Sequence, residues 1–173
     1  MFVYFEKLFT SERCDLLNKV ALDYMNNKRL NLEANQHHYK NSYGVGRISE
    51  YEQVLHELTP VVKEKTGVSD IIAENSYTRI YYNGATLGKH VDREGLDLTL
   101  SVCTFSNIQQ DWPLYVEVKS GVVKSFNTPP GDGALILGTK MLHWRDPLVC
   151  GENEMVIQSF YHWRIKHAHK IFI

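Results

Sequence analysis

The feature that most limits how this chain can fold is a change of period near residue 70. Beyond it the sequence breaks into short β-prone runs separated by turn residues. Tyr77 to Tyr82 is the first run, and Asn83-Gly84 reads as a hairpin turn from which Leu87 to Asp92 pairs back. Leu96 to Phe105 is a longer apolar strand, and Pro113 to Val118 with Gly121 to Phe126 forms a hairpin. Pro129-Pro130-Gly131-Asp132-Gly133 turns the chain into Ala134 to Leu137; His143 opens another strand, and Glu154 to Arg164 forms the last. The first part has helical spacing instead. Leu16, Leu17, Val20, Ala21, Tyr24 and Met25 share one face of a helix that Ser11 would cap. Tyr51, Val54, Leu55, Leu58, Val61 and Val62 share a face of a second, Ser49 to Thr66, capped by Ser49 and stopped by Gly67. Asn31 to Val45 is polar and irregular and reads as a connector. Two helices followed by about eight short strands predict an α+β fold with a sandwich or jelly-roll core.

Composition removes several classes of function. A chain of 173 residues makes one domain the default, with 1–70 as mainly helical support and 71–173 as the β core. A net charge of −1 leaves no electrostatic footprint for nucleic acid. No apolar run reaches membrane-spanning length and the N-terminus has no signal-peptide pattern, so a cytoplasmic location is expected. Cys14, Cys103 and Cys150 have no spacing that suggests a disulfide framework or a zinc ribbon.

The chemistry-bearing pattern is His90-Val91-Asp92 together with His143 in Met141-Leu142-His143-Trp144-Arg145. Two imidazoles and a carboxylate can cover one face of an iron(II) octahedron and leave positions for a co-substrate and oxygen. On extended backbone, residues two apart project to the same side, which suits His90 and Asp92. The spacing alone is a weak signal in a chain with eight histidines. His37-His38 and His167-Ala168-His169 are poorer metal pairs: the first points to opposite faces if extended, and the second lies in a basic tail.

In context, the segment from Arg79 to Arg93 resembles the strand-turn-strand leading into the metal site of prolyl 4-hydroxylase-like 2-oxoglutarate/iron(II) oxygenases. Pro130-Gly131-Asp132-Gly133-Ala134-Leu135-Ile136, running on to His143-Trp144-Arg145, resembles the turn and strand before that family's distal histidine, and Phe9 to Cys14 resembles its helical layer. The resemblance implies a double-stranded β-helix (jelly-roll, cupin-like) core. It also implies iron(II), 2-oxoglutarate and O2, with His90, Asp92 and His143 as metal ligands. The activity implied is hydroxylation of a peptidyl (prolyl being the nearest expectation) or small-molecule substrate, with 2-oxoglutarate decarboxylated to succinate.

The chain departs from that pattern at one place. The family carries an Arg or Lys about ten residues after the distal histidine to bind the far carboxylate of 2-oxoglutarate, but Asn153 stands there. Arg145, two residues past His143 and so roughly 6–7 Å further along the same face, is the first replacement. Tyr81 and Arg79 are the next candidates, and Arg164 is a weaker one. An interior arginine can equally satisfy buried carbonyls or pair with Asp92, Asp97 or Asp146. Arg93 either faces substrate or pairs with Glu94, and Thr99 and Ser101 either line a pocket or serve the strand. Two other classes stay open: a cupin-like metal enzyme using no 2-oxoglutarate, and a non-catalytic jelly-roll binding module.

Overall fold

The structure, a computed structural model, describes residues 1–29, 31–32 and 39–166. His37-His38 and His167-Ala168-His169 lie outside the described residues. In chain order the elements are β1 (Phe2–Phe5), α1 (Ser11–Asn26), β2 (Asn31–Leu32), β3 (Tyr39–Gly46), α2 (Ser49–Thr66) and β4 (Ile71–His90). There follow β5 (Leu98–Ser106), β6 (Leu114–Lys119), β7 (Val122–Phe126), β8 (Gly133–Leu137), β9 (His143–Arg145) and β10 (Val156–Ile165). All strand pairings are antiparallel, in the order β1-β8-β5-β10-β4-β9-β6-β7, with β3 on the other side of β4 and β2 beyond it. The core is a double-stranded β-helix with two helices laid on one face.

Strand alternation separates the two faces. Leu98, Leu100 and Val102 of β5 and Tyr161 and Trp163 of β10 point toward the helices, where they meet Leu17, Tyr51, Val54, Leu55 and Leu58. Two buried polar groups anchor this layer: Tyr51 Oη donates to Leu17 O at 2.8 Å, and Trp163 Nε1 donates to Thr59 Oγ1 at 2.9 Å. The alternate residues, Thr99, Ser101 and Cys103 with Gln158, Phe160 and His162, face the other way, into the barrel. No helix among the described residues is long and apolar enough to cross a membrane.

Four local expectations are corrected. Thr10, not Ser11, caps α1, its hydroxyl accepting from Arg13 N at 3.3 Å. Ile48 precedes α2 without a side-chain cap, because Ser49 is already helical and its hydroxyl donates to Glu50 at 2.6 Å; Gly67 does close the helix in the left-handed conformation. The polar stretch read as a connector contains strands: β3 pairs along β4 from Tyr77 to Leu87. Asn83-Gly84 is not a hairpin turn. The chain continues through it as one long strand, and Gly84, at φ +78°, makes an irregularity facing Asn41. A Cβ there would lie 2.9 Å from Asn41 Nδ2. The loop before β10 takes up the freed backbone groups, with Gly84 N donating to Leu148 O (2.7 Å) and Leu148 N to Ala85 O (2.8 Å).

The bend lets β4 serve both sheets. Its first half pairs with β10 and its end with β9, where Leu87 faces Arg145 and His90 faces His143. The Pro-Gly-Asp-Gly turn has a structural task. Asp132 is buried and accepts from Tyr4 Oη (2.5 Å) and Lys7 N (2.8 Å), tying the N-terminus to β8.

Candidate metal centre

His90 ends β4, Asp92 follows in the next turn, and His143 begins β9 directly opposite His90. One ligand atom from each lies within 4.8 Å of the others. Asp92 Oδ1 is 3.6 Å from His90 Nε2 and 3.7 Å from His143 Nε2, and the imidazole centroids are 4.3 Å apart. Both rings are oriented by backbone carbonyls: His90 Nδ1 lies 2.7 Å from Gly88 O and His143 Nδ1 lies 2.9 Å from Met141 O. A proton on each Nδ1, donated to its carbonyl, leaves the Nε2 lone pairs free to converge.

The carboxylate is oriented in the same way. Thr99 Oγ1 donates to Asp92 Oδ2 at 2.5 Å, and Asp92 N donates to Gly138 O at 2.8 Å, so Oδ1 is the atom turned to the imidazoles. Gly138 is needed for this. A Cβ on it would meet Asp92 Oδ2 at 2.1 Å and both Leu96 O and Thr99 Oγ1 at 2.6 Å. Burial alone would raise the acid's pKa, but the neighbouring His90 and His143 imidazoles and the Thr99 hydroxyl hold Asp92 at about 2. Burial depresses His143 despite the nearby Asp92. At neutral pH the set is therefore a carboxylate beside a neutral His143 imidazole, the forms a divalent metal binds. Thr99→Val should lower iron(II) affinity about 10- to 100-fold, the usual cost of losing a ligand's supporting contact, as read by metal titration.

The triad opens onto a cavity of about 360 Å³. Arg79, Arg93, Thr99 and Ser101 line it, as do Arg47, Asn75 and His162, which sequence reasoning did not select. Arg47 carried no signal, because its position depends on how β3 pairs with β4. His162 had one: it alternates with Gln158 and Phe160 on an inward-facing run.

Arg145 and Tyr81 are not on this cavity wall; they sit together behind it with Trp112 and Cys103. The Arg145 guanidinium lies 4.7 Å from the Trp112 ring centroid, its Nη1 donates to Trp112 O, and Tyr81 meets the same ring edge-on at 4.9 Å. Only 3% of Arg145 is exposed, and its Nη2 has no hydrogen-bond partner. Among the described residues no carboxylate lies within 4.0 Å of it. Arg164 lies past the bulge at His162/Trp163 and is exposed beside Glu74, outside the barrel. Asn153 is on an exposed loop, where its carbonyl accepts from Asn107.

No family model matches the sequence, and no curated protein matches it. Solved structures do. A Pseudomonas putida prolyl-4-hydroxylase superposes with a TM-score of 0.70 at 13% identity, covering 93% of this chain and 91% of its own. A Trichoplax adhaerens prolyl hydroxylase, in complex with a hypoxia inducible factor peptide fragment, gives 0.72 at 11%, covering 94% and 83%. The non-haem α-ketoglutarate-dependent carbocyclase SnoK of nogalamycin biosynthesis gives 0.70 at 10%, covering 97% and 84%.

The fold is that of the 2-oxoglutarate/iron(II) oxygenases.

The resemblance carried by the Arg79–Arg93 and Pro130–Arg145 segments thus extends to the architecture. Within this fold the two histidines and the aspartate meet where β4 pairs with β9. Arg145 lies two residues further along the β9 face that carries His143.

Proposed function

We propose that the chain is an iron(II)- and 2-oxoglutarate-dependent oxygenase, with His90, Asp92 and His143 as metal ligands and Arg145 as the clamp for the far carboxylate of 2-oxoglutarate. One observation carries most of this reading. A fully buried guanidinium with an unpartnered Nη2 sits on the same strand face as His143. A buried cation without a counter-charge is costly, and a planar guanidinium is the natural partner of a carboxylate held in two places. The donor set fits as well: two imidazole nitrogens and one carboxylate oxygen suit ferrous iron and leave coordination positions free.

When bound, iron(II) would let O2 act as the oxidant, one oxygen atom going to 2-oxoglutarate as it is decarboxylated to succinate and CO2 and the other to the substrate. The chain's own residues do the positioning. Gly88 O and Met141 O fix the two imidazoles, while Thr99 and Gly138 hold Asp92 so that one oxygen faces the metal position. Tyr81, against Trp112, flanks the clamp, and Arg79 lines the cavity at the metal's side. The apolar walls from Leu87, Leu114, Ala134 and Ile136 keep the cavity beside the triad poor in water. A peptidyl substrate, prolyl included, and a small molecule both remain candidates, because a fold fixes the reagent and not the target.

Anaerobic titration of the metal-free protein with iron(II) and then 2-oxoglutarate tests the reading. A visible metal-to-ligand charge-transfer band should appear in the wild type and be absent in His90→Ala. Iron binding without the band would instead point to a metal enzyme that does not use 2-oxoglutarate.

A further inference from the structure

The cavity wall itself carries positive charge, apart from Arg145 behind it. Arg79, Arg93 and Arg47 all line the cavity, and Asp92 is the one carboxylate among the described lining residues. Arg79 and Arg93 both lie close enough to His162 to disfavour a charge on it, whereas Arg145 acts on His143, Tyr81 and Cys103. Arg145 thus lies behind the wall that the other three arginines line.

Arg79 is held inside the fold, whereas Arg47 and Arg93 are exposed at the rim of the cavity. Arg79 is 93% buried and its guanidinium stacks 4.8 Å from the Tyr77 ring centroid. Arg47 has a left-handed backbone, φ +62°, which is uncommon for a long side chain. Its N–H donates to Ser76 O at 3.1 Å, and the preceding Gly46 is closed against Tyr77, where a Cβ would lie 3.0 Å from Cδ2. Such strained positions persist where a site has to be shaped. Neutral acceptors and donors accompany them: Asn75 and His162 line the same corner, with His162 Nδ1 3.1 Å from Asn75 O.

Charge balance indicates what this corner is for. With iron(II) and a 2-oxoglutarate dianion bound, Asp92 and Arg145 cancel each other, as do the metal and its co-substrate. The charges of Arg47 and Arg93, both exposed at the cavity rim, are then the ones turned to a further ligand, even with Arg79 left out of the count. We infer that the primary substrate of this site is a small organic anion, whose carboxylate or phosphate group binds at Arg47, Arg93 and Arg79 beside His162. This rests on the function proposed above. A cavity of about 360 Å³ is of the size that encloses a small molecule.

Binding of matched probe pairs tests the inference. N-acetylglutamate is compared with N-acetylglutamine, and glycerol phosphate with glycerol, on the anaerobic iron(II)–2-oxoglutarate complex and, by ligand-observed NMR, on the metal-free protein. One anion of the two pairs should bind in preference to its neutral partner, and which one it is separates carboxylate from phosphate. Arg47→Gln and Arg93→Gln should each weaken that binding by about ten- to a hundredfold while leaving the 2-oxoglutarate titration unchanged. The inference is overturned if neither anion binds to either form, or if neutral probes or a neutral prolyl peptide bind better. It also falls if the two substitutions weaken 2-oxoglutarate itself, which would make these arginines part of the co-substrate site. A wild type without the charge-transfer band would remove the oxygenase reading instead, and the NMR arm would still score the arginines.

Discussion

Arg145→Met is expected to raise the dissociation constant for 2-oxoglutarate by about two to four orders of magnitude without unfolding the protein. A hydrogen bond to a charged group contributes about 1.5–3 kcal/mol, and a guanidinium clamp makes two, at about 1.4 kcal/mol per tenfold change in affinity. The stability effect should be small, because opposing contributions nearly cancel. The substitution removes the Arg145 donation to Trp112 O but also removes a buried charge with an unpartnered Nη2. Replacing buried charge by an apolar side chain of similar volume is often neutral or stabilising. Thermal unfolding and 2-oxoglutarate titration on the same sample separate the alternatives. If Arg145 serves only the Trp112 carbonyl, the melting temperature should fall and the affinity should stay as in wild type.

Gly138→Ala should cost iron(II) affinity at least about 100-fold, the upper end of what a lost supporting contact costs, because here a ligand is itself displaced. The added methyl would sit 2.1 Å from Asp92 Oδ2, far inside contact distance. The glycine backbone cannot retreat, since its N–H donates to Asp97 O (3.0 Å) and its carbonyl accepts from Asp92 N (2.8 Å). Asp92 Oδ2 is the most crowded of the three atoms and belongs to a side chain, so relief comes first from the carboxylate turning away. Overpacking of this kind also destabilises by about 1–3 kcal/mol. Metal titration beside thermal unfolding of the metal-free protein would measure both effects. Unchanged iron binding would show that Asp92 does not ligate through the observed rotamer.

Much of this molecule was legible one residue at a time. The helical stripe from Tyr51 to Val62, its stop at Gly67 and the apolar run from Leu96 to Phe105 are local patterns, which report what a segment buries before its partner is known. The H-x-D spacing is local in the same sense. Where local rules failed, a distant neighbour had prevailed. Asn83-Gly84 has the chemistry of a hairpin turn, yet β3 on one side and the Leu148 loop on the other hold it as a bend within a single strand. The stretch from Tyr39 to Gly46 reads as polar connector because its strand character comes from the β4 edge it joins.

By itself the sequence determined which side chains can ligate a metal, which faces are apolar and the α+β order of the elements. Only the tertiary structure decided that His143 meets His90 across the β4–β9 pair, and that Arg145 is sealed in with an unpartnered Nη2. It also decided that Gly138 has to be glycine and that Arg47 joins Arg79 and Arg93 at one cavity. The reason is physical: periodicity is a property of neighbours along the chain. Ligand geometry, steric exclusion and charge balance are properties of groups brought within a few ångströms by strand pairing, and no local pattern records them.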